Sequence, residues 1–102
     1  MKALGLKPAY KGNAYEHTEV ISFNGTDATG TACVRYAAGG RKLDDKWQPS
    51  VRVVKDMSNP HAWKATIIIA DPSGYPRQVW LELSINDTVV AAGQLFTTYQ
   101  PS

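Results

Sequence analysis

Residues 63–85 read WKATIIIADPSGYPRQVWLELSI. Two runs rich in β-branched and aromatic residues, Trp63 to Ala70 and Gln78 to Ile85, flank the turn formers Asp71-Pro72-Ser73-Gly74 and Pro76. That composition predicts two strands joined as a hairpin. Along each run the side chains alternate. Ala65, Ile67 and Ile69, then Val79, Leu81, Leu83 and Ile85, share one parity, whereas Lys64, Thr66 and Ile68, then Trp80, Glu82 and Ser84, share the other. Successive strand side chains point to opposite sides of a sheet, so one face is apolar and the other polar.

The same pattern extends outward. His17 to Phe23, Thr31 to Tyr36 and Ser50 to Lys55 are further strand candidates, cut apart by Gly12-Asn13, Asn24-Gly25, Gly30, Gly39-Gly40, Pro49 and Asn59-Pro60. The last of these predicts a second hairpin between Met57 and Ala62. Ala32, Val34, Tyr36, Val51 and Val53 continue the apolar parity, and Thr31, Cys33, Arg35, Ser50 and Arg52 continue the polar one. A single sheet with one apolar face needs a cover. The sequence offers one helical candidate, Asn86 to Tyr99, with Asn86 or Asp87 as N-cap and Val89, Val90, Leu95 and Phe96 as its apolar side chains. One short helix cannot hide four or more strands, so a second subunit is predicted to supply the rest, as an intertwined dimer.

Composition bounds the class. The chain has 102 residues, 43% of them hydrophobic and 20% charged, which is one domain and excludes a multidomain enzyme. Eleven Lys and Arg against nine Asp and Glu leave a net charge of +2, too little to argue for nucleic acid by itself. One cysteine, Cys33, makes no internal disulfide, which fits a reducing compartment. Met1 to Leu6 is too short for the apolar core of a signal peptide, and the longest apolar run, residues 67–70, is far below a membrane span, so a soluble protein is expected.

Catalytic and metal motifs find little support. His17, His61 and Cys33 are widely separated, with no ligand pair at metal spacing, and neither metal nor other cofactor is expected. Gly39-Gly40-Arg41-Lys42 lacks the spacing of a phosphate loop, and Asp44-Asp45 reads as a solvated turn. No enzyme is predicted. What remains is the polar parity, where Arg35, Arg52, Lys64 and Trp80 are interleaved with Thr31, Ser50, Thr66, Glu82 and Ser84. Cations for phosphates, hydroxyls for base edges and a ring for stacking suit single-stranded RNA, and a plain solvated sheet face is the alternative.

In order and spacing, Thr29-Gly30-Thr31-Ala32-Cys33-Val34, Ser50-Val51-Arg52-Val53-Val54, Trp63-Lys64-Ala65-Thr66-Ile67-Ile68-Ile69 with Asp71-Pro72, and Arg77-Gln78-Val79-Trp80-Leu81-Glu82-Leu83-Ser84 resemble the coat proteins of small single-stranded RNA bacteriophages, the levivirus type. The resemblance runs from about His17 to Ile85. It implies an α+β, mainly antiparallel β fold. An N-terminal hairpin region would occupy about 1–28, a five-stranded antiparallel sheet 29–85, and a short C-terminal helix with its tail 86–102. The implied function is a virion capsid protein, made in the cytoplasm of a bacterial host, that forms homodimers and then an icosahedral shell around genomic RNA. An RNA hairpin would serve as packaging signal and translational repressor. The implied RNA-binding residues are Trp80, Glu82, Lys64, Thr66, Arg52, Ser50, Arg35 and Thr31, and the implied dimer contacts are Val89, Val90, Leu95 and Phe96. The family has two C-terminal helices where this sequence has room for one. Two rivals stand beside it: a monomeric β-sandwich binding module of immunoglobulin type or a phage-encoded inhibitor of a host protein, and a small enzyme using His17 or His61 as a base.

Overall fold

In the computed structural model, which describes residues 1–99, eight strands follow in order: β1 (Lys2–Ala3), β2 (Ala9–Tyr10), β3 (Tyr15–Ser22), β4 (Gly30–Arg35), β5 (Ser50–Lys55), β6 (Ala62–Ile69), β7 (Gln78–Ile85) and β8 (Thr88–Thr98). The strands expected from alternation, β3 to β7, form where the sequence places them. The fold is mainly antiparallel β, and single turns of 3₁₀ helix occur at Asp45–Trp47 and Pro72–Gly74.

The strands divide into two sheets. One runs β1-β8-β7-β4, with β2 also on β8, and the other runs β3-β6-β5. The β4, β7 and β8 neighbours are antiparallel, as are β3, β6 and β5, whereas β1 and β2 lie parallel to β8. Apart from the N-terminal strap on β8, this is the strand order of a constant-type immunoglobulin sandwich. Tyr75, at the corner between the two sheets just before β7, donates its hydroxyl to the Trp47 carbonyl and so ties that corner to the loop before β5.

The alternation reaches the core as expected. Ala65, Ile67 and Ile69 of one sheet and Val34, Val79, Leu81, Leu83 and Ile85 of the other are buried in one apolar cluster. Val51, Val53 and Ala32 pack against it half-buried. Tyr36 departs from its parity because β4 ends at Arg35, and its ring is 45% exposed.

Four expectations are corrected. The apolar parity is not one face of one sheet: β3, β5 and β6 form a second sheet that stacks face to face on the first, so the chain covers itself. The area argument for an obligatory second subunit therefore falls away. Asp71 to Gly74 is not a hairpin. Both sides of β6 are already taken by β3 and β5, so residues 70–77 carry the chain across to the other sheet, with the Asp71 carboxylate accepting the Ser73 N–H at 2.9 Å. The N-terminal residues make no hairpin with each other, because β1 and β2 pair with β8 and β3 pairs with β6. The predicted C-terminal helix is instead β8, the longest strand, and residues 100–102 of the predicted tail lie outside the described residues. Asn86 and Asp87 have positive φ of 49° and 69°, the geometry of a two-residue hairpin turn rather than of an N-cap. The second predicted hairpin, at Asn59-Pro60, does join β5 to β6.

Sheet edges are managed locally. Along β4 the Gln48 side-chain amide imitates a neighbouring strand, accepting the Val34 N–H at 2.7 Å and donating to the Val34 carbonyl at 3.1 Å. Along β3, Lys2 Nζ bonds the Val20 carbonyl at 2.9 Å and the Glu19 carboxylate at 2.6 Å, and His17 meets Glu19 at 2.7 Å. His17 and Glu19 occupy inward parity on an edge strand, an arrangement that opposes edge-to-edge aggregation.

Candidate functional site

The residues singled out for RNA do not come together. Thr31, Arg35, Trp80 and Glu82 lie on the outer face of the five-stranded sheet, and Ser50, Arg52, Lys64 and Thr66 lie on the outer face of the three-stranded sheet. The sandwich stands between them. Alternation assigns each side chain to a face of its own strand, but it carries no information on which strands share a sheet.

On the three-stranded sheet, Arg52 and Thr66 are cross-strand neighbours, as are Val54 and Lys64, and Ser50 faces Ile68. Thr66 is buried, its hydroxyl 3.0 Å from that of Thr18. Arg52 and Lys64 take part in none of the ion pairs among the described residues.

The other face has a different character. In register, Arg35 faces Trp80 and Trp80 faces Gln94; on either side, Cys33, Glu82 and Ala92 form one row and Gln78 faces Phe96. Arg35 Nε donates to Glu82 Oε1 at 3.0 Å and Arg35 Nη1 to the Gly40 carbonyl at 3.1 Å. The hydrogen bond to Glu82 comes first among the influences that raise the Arg35 pKa. Gln94 Nε2 donates to Gln78 Oε1 at 3.0 Å. Trp80 is half-buried between these pairs, beside a groove of 250 Å³ lined by Tyr36, Ala37, Gln78 and Gln94. Phe96 and Tyr36 stand 46% and 45% exposed, with the Arg41 guanidinium 4.8 Å from the Tyr36 ring centre. Three aromatic side chains thus share a face on which the neighbouring cation and anion neutralise each other.

Of the four dimer contacts expected from the helix, Leu95 is wholly buried in the core and cannot reach a partner. Val89 and Val90 are half-buried on β8, and Phe96 projects outward. Sequence reasoning missed Gln78, Gln94 and the outward placement of Phe96. A β-bulge between Leu83 and Ser84 of the β7–β8 ladder, where Val90 is the extra residue, breaks the alternation along β8. The usable signal was the pair of β-branched doublets, Val89-Val90 and Thr97-Thr98, which oppose a helix.

His61 lies exposed at the β5–β6 turn, and His17 is held by Glu19. Among the described residues no three His, Cys, Asp or Glu side chains gather as a metal site, and no helix is long and apolar enough to cross a membrane. No protein-family model and no curated protein matches the chain.

Proposed function

We propose that the chain is a non-catalytic β-sandwich interaction module that pairs with a second copy of itself through the outer face of its five-stranded sheet. The observation that carries this reading is Trp80, a large aromatic on the solvent parity of a sandwich whose core is complete without it, flanked by exposed Tyr36 and Phe96. Interface centres are enriched in aromatic residues and depleted of unpaired charge, and here Arg35 is matched by Glu82. The Arg35–Glu82 pair carries no net charge to repel its own copy about a two-fold axis, and Arg41 is held over the Tyr36 ring.

A second reading, a coat subunit assembling around single-stranded RNA, rests on a specific feature as well. Arg52 and Lys64 stand on the opposite outer face without ion-pair partners among the described residues, available to phosphates. One experiment separates the two. Sedimentation velocity and electron microscopy of the purified chain, with the ratio of nucleic-acid to protein absorbance, should show a dimer free of nucleic acid. The paired substitutions Trp80→Ala and Phe96→Ser should disperse it to a monomer that still unfolds cooperatively. Closed particles carrying RNA would replace this reading with the coat subunit, and a wild-type monomer at every concentration would overturn self-pairing.

A further inference from the structure

A second cleft, of 310 Å³, lies at the far end of β8 and is lined by Lys11, Arg77, Thr97, Thr98 and Tyr99. The backbone fixes its two cations on either side of β8. The Lys11 N–H donates to the Thr98 carbonyl at 2.9 Å, and the Thr97 N–H donates to the Arg77 carbonyl at 2.9 Å. Ala9 pairs in register with Thr97, so Lys11, two residues on, shares the inward parity of Thr97 and Tyr99.

Two features distinguish this cleft from a solvated corner. Neither Lys11 nor Arg77 belongs to an ion pair among the described residues. Asp71, tied to the same corner by accepting the Gly12 N–H, is occupied by that donor and by Ser73, and does not line the cleft. Thr97 is only 3% exposed, yet its hydroxyl has no hydrogen-bond partner among the described residues. That hydroxyl is closed off from the cleft, so the two cations, not Thr97, are the groups a ligand can reach.

We propose that this cleft binds a phosphate monoester, with the Arg77 guanidinium and the Lys11 ammonium matching its two negative charges. Two cations suit a dianion better than the single charge of a carboxylate, and the planar guanidinium fits two phosphate oxygens at once. Tyr99 is 76% exposed, with Lys11 Nζ 5.1 Å from its ring centre. An open ring beside the anion is a platform for a base, which makes a nucleotide and free phosphate the two sources of the same chemistry.

The test is a titration of the full chain with inorganic phosphate and, separately, with adenosine 5′-monophosphate at low ionic strength, following backbone amide resonances. Saturable shifts at Gly12, Thr97 and Thr98 are expected. Arg77→Gln and Lys11→Gln should each weaken binding roughly tenfold or more, the loss typical of a hydrogen bond to a charged group. Thr97→Val and Lys42→Gln should leave it unchanged. Tighter binding of the nucleotide, with the difference erased in Tyr99→Ala, would identify a nucleotide as the source, and equal binding would identify free phosphate. Absence of saturable shifts with both probes, or shifts that Arg77→Gln leaves intact, would overturn the site. Because Trp80 lies on a different face, failure here is separable from failure of self-pairing.

Discussion

Glu19 shows how one residue couples fold to solution conditions. Burial pushes its carboxyl pKa up, but the hydrogen bonds and charges of Lys2 and His17 outweigh that effect and hold it below its ordinary value of 4.5. A carboxyl with a lowered folded-state pKa adds stability above the unfolded value and loses it as pH falls through the folded one. Urea unfolding measured at successively lower pH, from above 4.5 downward, should therefore show wild type losing stability more steeply than Glu19→Gln. Asp56 and Asp71 are also lowered, first by hydrogen bonds from Ser58 and Ser73, but they act equally in both proteins and cancel in the difference. At the alkaline end Tyr75 matters, since burial pushes its hydroxyl up to about 12. Its contribution is complete below the ordinary value of 10 and is lost as pH rises towards 12, so Tyr75→Phe should flatten stability across that window.

At the scale of elements, the β7–β8 turn and the N-terminal strap are the informative parts. The Asn86 side chain accepts the Thr29 N–H at 2.9 Å and donates to the Asp27 carbonyl at 3.3 Å, so this turn also anchors the loop that leads into β4. Asp87 sits at φ 69°, where a β-branched side chain is strained, and Asp87→Val should cost about 1–2 kcal/mol in chemical unfolding. The strap is held differently. Leu4 is buried, its N–H donates to the Ala92 carbonyl at 2.8 Å, and its backbone crosses directly over Gly93. A Cβ at Gly93 would stand 2.5 Å from the Leu4 carbonyl oxygen, so Gly93→Ala must displace the strap. A loss of about 1–3 kcal/mol is expected, with faster tryptic cleavage after Lys11 as the readout. Unchanged cleavage would mean that the strap does not depend on this close approach.

For the whole molecule, the two sheets bury one shared core, and this makes the folded monomer self-sufficient. Unfolding midpoints in urea should accordingly be independent of protein concentration in the Trp80→Ala, Phe96→Ser double variant. A midpoint that rises with concentration there would mean that folding requires a second copy. The self-pairing proposed for the Trp80 face would then add to a stable domain. Its loss should change mass without changing fold.

Alternation and turn residues are enough to locate the strands β3 to β7 and, for β4 to β7, to sort inward from outward side chains, Tyr36 excepted. Those features are local: a two-residue period and turn-forming residues express the geometry of one strand at a time. That Lys64 and Trp80 face opposite directions in space emerges only once the sheets form, because sheet membership depends on which backbone edges pair, and every strand presents the same N–H and C=O groups there. β8 escaped for a related reason, its alternation interrupted by a bulge that only the ladder with β7 reveals. The phosphate cleft lay further still from view. Lys11, Arg77 and Thr97 are remote in sequence, and they meet because a parallel strap and an antiparallel strand flank the same end of β8.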